Sequence, residues 1–280
     1  MIELLFYKRI ETSRSSIFYS LINYHDSILG FGRKHYEGHI RKIKVINLDN
    51  KFNNVSEHQD NLSGEDPRCF YHQDKLYIVD NYCNDNHLID YASGERIRIP
   101  LSGKNFSFIS HNNTLYIIHT MVPLRLYKFD TDQKILTKIY SSQQNPNKEY
   151  RGGTPGYYKE KNIYYGFGHR TYQSNQGLTH DIYYWEINFD QFPPALTISN
   201  LVQPVNSKTI TDPTSVIRVE DQDYLVTAES DYPWSREQDY ITNVYTIEYI
   251  PDPIIIIPIP DKPKKTWKSY FWSLFHSKSS

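Results

Sequence analysis

His72-Gln-Asp-Lys-Leu-Tyr-Ile-Val79 places a polar turn directly before a short apolar strand, and the same pairing returns along the chain. The apolar strands are Ser27-Ile-Leu-Gly-Phe31, Leu76-Tyr-Ile-Val79, Leu115-Tyr-Ile-Ile118, Ile163-Tyr-Tyr-Gly-Phe167 and Tyr224-Leu-Val-Thr-Ala228. Tyr24-His-Asp26, Asn112-Asn113, Lys161-Asn162 and Asp221-Gln-Asp223 supply the other turns, so each unit reads as strand, tight turn, strand. A third strand follows each hairpin, as in Leu124-Arg-Leu-Tyr-Lys-Phe-Asp130 and Ile182-Tyr-Tyr-Trp-Glu-Ile-Asn-Phe-Asp190. A fourth is visible in some units, as in Arg96-Ile-Arg-Ile99. The units recur at roughly 40 to 60 residues, the spacing of propeller blades. Five units of about four strands predict an all-β, five-bladed β-propeller over residues 1–250, in which neighbouring blades bury one another's faces. A β-sandwich would use a similar number of strands, but it gives no reason for the polar motifs that share one phase of the repeat.

The 280 residues carry a formal net charge of -1, so no global field invites nucleic acid, and no nucleic-acid partner is expected. Two cysteines, Cys69 and Cys83, are too few for a disulfide framework and fit a reducing compartment. The apolar run in the opening MIELLFYKRIETS is broken by Lys8, Arg9 and Glu11, unlike a signal peptide. No stretch approaches the roughly 20 apolar residues of a spanning helix. A cytoplasmic protein is expected. Residues 251–263 are proline-dense and read as an extended linker. In residues 264–280, Trp267, Tyr270, Phe271, Leu274 and Phe275 fall on one helical face beside Lys264, Lys265 and Lys268. That is the pattern of a tail that lies on a membrane surface or in a partner's groove. A tail that packs back on the propeller or stays disordered is the alternative.

A polar motif precedes each hairpin: Ser13-Arg-Ser-Ser16, Gly64-Glu-Asp-Pro-Arg68, Gly103-Lys-Asn-Phe106, Arg151-Gly-Gly-Thr-Pro155 and Thr211-Asp-Pro-Thr214. In a propeller this phase is the start of the innermost strand, facing the central channel. Five distant stretches are thereby predicted to converge on one axis, and loop-borne polar groups on a rigid scaffold make a binding or active site. After the second strands come Arg33 in Gly30-Phe-Gly-Arg33, His169 in Gly166-Phe-Gly-His-Arg-Thr171 and Asp231 in Ala228-Glu-Ser-Asp231. Each motif alone is an ordinary turn signal; the shared phase carries the argument.

Glu65-Asp-Pro-Arg68, Gly103-Lys-Asn-Phe106, Arg151-Gly-Gly-Thr-Pro155 with His169 downstream, and the closing Asp231 give a chain that resembles glycoside hydrolase family 130. That family comprises five-bladed propeller β-mannoside phosphorylases and hydrolases and related mannosyltransferases. The likeness covers roughly residues 13 to 250. It implies Asp66 as general acid, with Arg68, Lys104, Arg151 and His169, and also Arg33, as cations for phosphate, since Arg clamps phosphate bidentately and Lys acts as a point charge. It implies Asp231 for sugar hydroxyls and Phe106, Tyr157 and Tyr232 for stacking on sugar faces, with Glu65, Asn105 and Thr154 completing the substrate site. The expected substrate is a glycan or sugar phosphate, with inorganic phosphate as a co-substrate and no other cofactor. Blade one departs from the family, carrying Ser15-Ser16 for its Asn-Pro element, and blade five carries Glu229-Ser-Asp231 rather than a glycine-rich version. A phosphorylase, a hydrolase with an activated water, a glycosyltransferase with a sugar-phosphate or sugar-nucleotide donor, and a propeller that only binds glycans all remain open.

Other chemistries have no signature. The sequence lacks zinc-spaced cysteines and a His-Glu-x-x-His motif, so no metal is expected. It also lacks a phosphate-binding glycine loop and a Gly-x-Ser-x-Gly nucleophile elbow.

Overall fold

The computed structural model describes residues 2–12, 16–34, 42–82, 85–141, 144, 147–175, 177–231 and 240–249. Ser13-Arg-Ser15, Cys83, Tyr232, the proline-dense segment and the basic tail lie outside the described residues. Ile2–Tyr249 forms one compact unit built of strands. Among the described residues no helix is long and apolar enough to cross a membrane.

The strands group into four-stranded antiparallel units. The first is β2 (Ser16–Tyr24), β3 (Ser27–Lys34), β4 (Lys42–Leu48) and β5 (Asn54–Ser63). The second is β6 (Arg68–His72), β7 (Lys75–Tyr82), β8 (Asp85–Asp90) and β9 (Arg96–Ile99). The third is β10 (Ser107–His111), β11 (Thr114–Thr120), β12 (Arg125–Asp130) and β13 (Ile135–Ser141). Nine further strands share one hydrogen-bonded sheet, which a single parallel pairing, His180 with Ile210, divides in two. One half holds β14 (Tyr150–Gly153) and β15 (Tyr157–Glu160), both on β16 (Ile163–Ser174), then β17 (Gly177–Asn188) and β18 (Ala195–Leu201). The other holds β19 (Ile210–Val219), β20 (Gln222–Ser230), β21 (Ile241–Tyr249) and β1 (Ile2–Ile10). The fourth strand of this last unit thus comes from the start of the chain, a pairing the repeat pattern does not anticipate.

The turns explain the hairpins. Gln73 and Asp74 between β6 and β7, and Asn112 and Asn113 between β10 and β11, all have positive φ. Two such residues in a row make the turn whose twist matches paired strands, and Asn and Asp tolerate that backbone best. The alternating apolar residues of each unit then face the neighbouring units. Phe31, Ile43 and Val45 pack with Cys69, Ile78 and Ile89, joining units one and two. Val79, Leu88 and Ile97 pack with Phe108, Leu115 and Phe129, joining two and three. Ile109, Ile118 and Leu126 pack with Tyr183, Trp185 and Ile187, joining three and four. Phe167, Ile182 and Tyr184 pack with Leu225, Tyr245 and Leu4, joining four and five. Finally Val226, Val244 and Ile10 pack with Leu21, Ile28 and Ile46, returning from five to one. The five interfaces form a cycle, closed by side-chain packing rather than by a continuous ladder of hydrogen bonds.

Candidate functional site

The turn before β6 is where the polar residues gather. Asp66 has a left-handed backbone, φ 45°, which costs energy for a residue with a Cβ and persists only where neighbours hold it. Four contacts from the same unit do so. The Glu65 amide donates to Asp80 Oδ1 at 2.8 Å, and the Asn81 amide donates to the Glu65 carbonyl at 3.0 Å. Asn81 Nδ2 donates to the Asp66 carbonyl at 2.9 Å, and Arg96 secures Asp80 at 2.6 Å. The clamp fixes the two carboxylates against cations from other units. Arg33 Nη1 lies 2.8 Å from Asp66 Oδ1 and 3.2 Å from Glu65 Oε1, and its guanidinium sits over the Phe18 ring. Lys104 Nζ approaches Asp66 Oδ2 to 3.9 Å. Arg33, Glu65 and Asp66 are all buried, whereas Lys104 keeps an exposed side chain.

Arg68 runs inward from the same turn and is 2% exposed. Its Nε donates to the Gly153 carbonyl at 2.8 Å, and its Nη1 reaches the carbonyls of Pro67 at 3.0 Å and Asp66 at 3.3 Å. These bonds tie unit two to unit four, so Arg68 serves as a strut in place of the phosphate clamp expected of it. Burial lowers its basicity, and the nearby charges of Asp66 and Asp212 oppose that effect. Arg68 therefore sits electrostatically between two carboxylates.

Asp212 opens β19 in the motif Thr211-Asp-Pro-Thr214. Its Oδ1 accepts from His180 Nδ1 at 2.8 Å and lies 3.6 Å from His169 Nδ1. The two imidazoles stack, with centroids 4.8 Å apart and planes 22° apart. Burial pushes His169 down to about 3, an effect that Asp212 opposes and that His180, Arg151 and Arg68 reinforce, so its ring is neutral at physiological pH. Burial alone would raise Asp212, but the two imidazoles and Arg68 hold it well below the usual carboxylate range. His169 is the cross-strand partner of Arg151, which is exposed. His180 was not marked by the repeat: it sits diagonally across the β16–β17 ladder, opposite Thr171, and only the register reveals it.

The remaining expected residues divide. Asn105, also left-handed at φ 63°, adjoins Lys104 and packs its carbonyl against Gly152. Phe106 is 2% exposed in the core between units two and three, with its ring on His119, so it offers no face for sugar stacking. Thr154 is fully buried, and its hydroxyl accepts from the Phe167 amide at 3.0 Å. Asp231 is exposed and pairs with Lys208 at 2.5 Å. Tyr157 lies at the other end of the innermost strands. There Ile22, Phe70, Phe108, Tyr157 and Ile217, one from each unit, line a mostly apolar cavity of 370 Å³. Its size suits a ligand, and neither Asp66 nor Asp212 is among the residues that line it.

No protein-family model matches the chain, nor does any curated protein sequence. Solved structures do resemble it. A hypothetical protein from Leishmania major superposes with a TM-score of 0.60 at 10% identity, covering 86% of this chain and 90% of that one. The Bacillus subtilis arabinanase gives 0.56 at 12% identity, with 86% and 96% covered. A glycoside hydrolase family 43 enzyme from Xanthomonas citri, solved with xylotriose, gives 0.57 at 12% identity, with 85% and 89% covered. At these identities the likeness is one of fold, an all-β propeller type. The Xanthomonas citri enzyme bears the name of family 43, which is not the family the motifs resemble.

Proposed function

We propose that residues 2–249 form a five-bladed β-propeller and that its polar end is a carbohydrate-active site that cleaves or transfers a glycosyl unit. The cycle of five packed interfaces supports the blade count. One observation carries the functional reading: Asp66 is held at the meeting point of the units by cations from two others, with Asp212 beyond Arg68. Breaking a glycosidic bond needs a proton for the leaving oxygen and an attacking group on the opposite face of the sugar. Asp66 is the proton donor in this reading.

The exposed cations bear on the choice of attacking group. Lys104 beside Asp66 and Arg151 beside His169 reach solvent, which favours an anionic co-substrate over water. Inorganic phosphate held by these cations is the attacking group in this reading. The oxygen of phosphate then forms the new bond to the anomeric carbon as the glycosidic bond breaks, and the Asp66 proton passes to the departing oxygen. Transfer from a sugar phosphate to an acceptor is this reaction reversed. A β-mannoside is the sugar the motifs favour.

The full chain incubated with β-linked mannobiose and xylobiose, with and without phosphate, tests this. The expected result is sugar 1-phosphate formed only with phosphate and from the mannoside. Asp66→Asn should lower kcat by about 100-fold or more, the usual worth of a positioned acid. Release without phosphate overturns phosphorolysis and leaves hydrolysis. No turnover of any glycoside, or full rate in Asp66→Asn, overturns the glycoside reading.

A further inference from the structure

We propose that His169, His180 and Asp212 form a binding site for one divalent transition-metal ion of the zinc class. The three residues come from β16, β17 and β19, and the parallel pairing of His180 with Ile210 is what brings the third strand to the other two. One donor atom from each residue lies within 4.8 Å of the other two. His169 is 2% exposed, yet neither of its ring nitrogens has a hydrogen-bond partner among the described residues. A buried polar group left in that state is costly unless something outside the protein chain completes it. His180 Nδ1 and Asp212 Oδ1 lie 2.8 Å apart across a shared hydrogen bond, whose proton is released when an ion takes both atoms as ligands.

The donor set selects the ion. Two imidazoles and one carboxylate are the ligands of three-residue zinc sites, which keep a fourth position open. Calcium takes about six to eight oxygen ligands and magnesium a near-ideal octahedron of oxygens, neither of which two imidazoles provide. Arg68 and Arg151 also face the cluster and weaken its hold on a cation. The same two charges favour an anion as the fourth ligand. The site stands whether or not the glycoside reading does, because its test measures binding.

The test uses the full chain without an affinity tag, stripped with a chelator and titrated with Zn²⁺ in competition with a chromophoric chelator. One ion per chain is expected. His169→Gln and His180→Gln should each weaken binding by more than about 100-fold, beyond what losing an outer hydrogen-bond partner costs. His111→Gln, at a buried histidine elsewhere, should leave binding unchanged. Co²⁺ bound to the wild-type chain should give the intense visible absorption of a four- or five-coordinate site, a readout that needs no variant to fold. Equal Zn²⁺ binding by wild type and both cluster variants, no binding at one per chain, or a weak octahedral Co²⁺ spectrum overturns the proposal.

Discussion

Arg33 stands between two buried carboxylates, and its removal tests the electrostatic frame of the polar end. Arg33→Met keeps the length that covers Phe18 but leaves Glu65 and Asp66 without their shared cation. Breaking a buried pair on one side costs about 3–5 kcal/mol, so urea unfolding should show a loss of that order. A change below about 1 kcal/mol would mean that water solvates the two acids. Cys69 gives a second test. Burial pushes its thiol up to about 12, against smaller opposing pulls from Ser20 and Arg68. The reactive thiolate is therefore absent until pH nears 12, well above the ordinary range. In a Cys83→Ser background, native protein at pH 8 should not react with a disulfide reagent on the timescale of minutes, and denatured protein should react at once. Phase in the repeat singled out Arg33, Asp66 and Lys104, and the structure places Arg33 and Lys104 at 2.8 and 3.9 Å from the Asp66 carboxylate. It could not reveal that Arg68 and Thr154 satisfy backbone groups, or that Phe106 turns into the core, because those fates depend on partners from other units. His180 escaped notice for a related reason: strand register, not spacing along the chain, makes it a neighbour of His169.

Element by element, the hairpins were legible because paired turn residues declare them, as at Gln73-Asp74 and Asn112-Asn113. Less legible was the break between β14 and β15, where unit four begins. Here two glycines permit close approach between units. A Cβ on Gly152 would stand 2.2 Å from the Asn105 carbonyl oxygen, and one on Gly153 would stand 2.7 Å from both the Phe167 oxygen and Pro213. Backbone atoms cannot swing aside as a flexible side chain can. Gly152→Ala should therefore displace the Lys104-Asn105 turn and cost about 1–3 kcal/mol, the range for overpacking. Thermal melts together with affinity for inorganic phosphate check this. Stability and affinity both unchanged would show that the turn yields freely.

Across the described residues, five packed interfaces share the load, and each depends on its neighbours. Ile10 lies in the interface that returns from the last unit to the first and is 2% exposed. Ile10→Ala should cost about 2–5 kcal/mol, as core truncations do. Loss should appear as one cooperative transition shifted to lower denaturant, because opening one interface uncovers the next. A separate early transition would instead show that β1 detaches on its own. Nothing in the sequence around Leu4 and Ile10 states that their partner strand lies more than two hundred residues away.

That distance has a consequence for synthesis. Ile2 pairs with Tyr249 and Ile10 with Thr242, so β1 leaves the ribosome more than two hundred residues ahead of the strand it pairs with. Until that strand follows, the Leu4-Leu5-Phe6-Tyr7 run has no mate, and an unpaired apolar edge is a hazard on a nascent chain. The interface that returns from the last unit to the first is thus built like a clasp, which β1 can fasten only once β21 has been made.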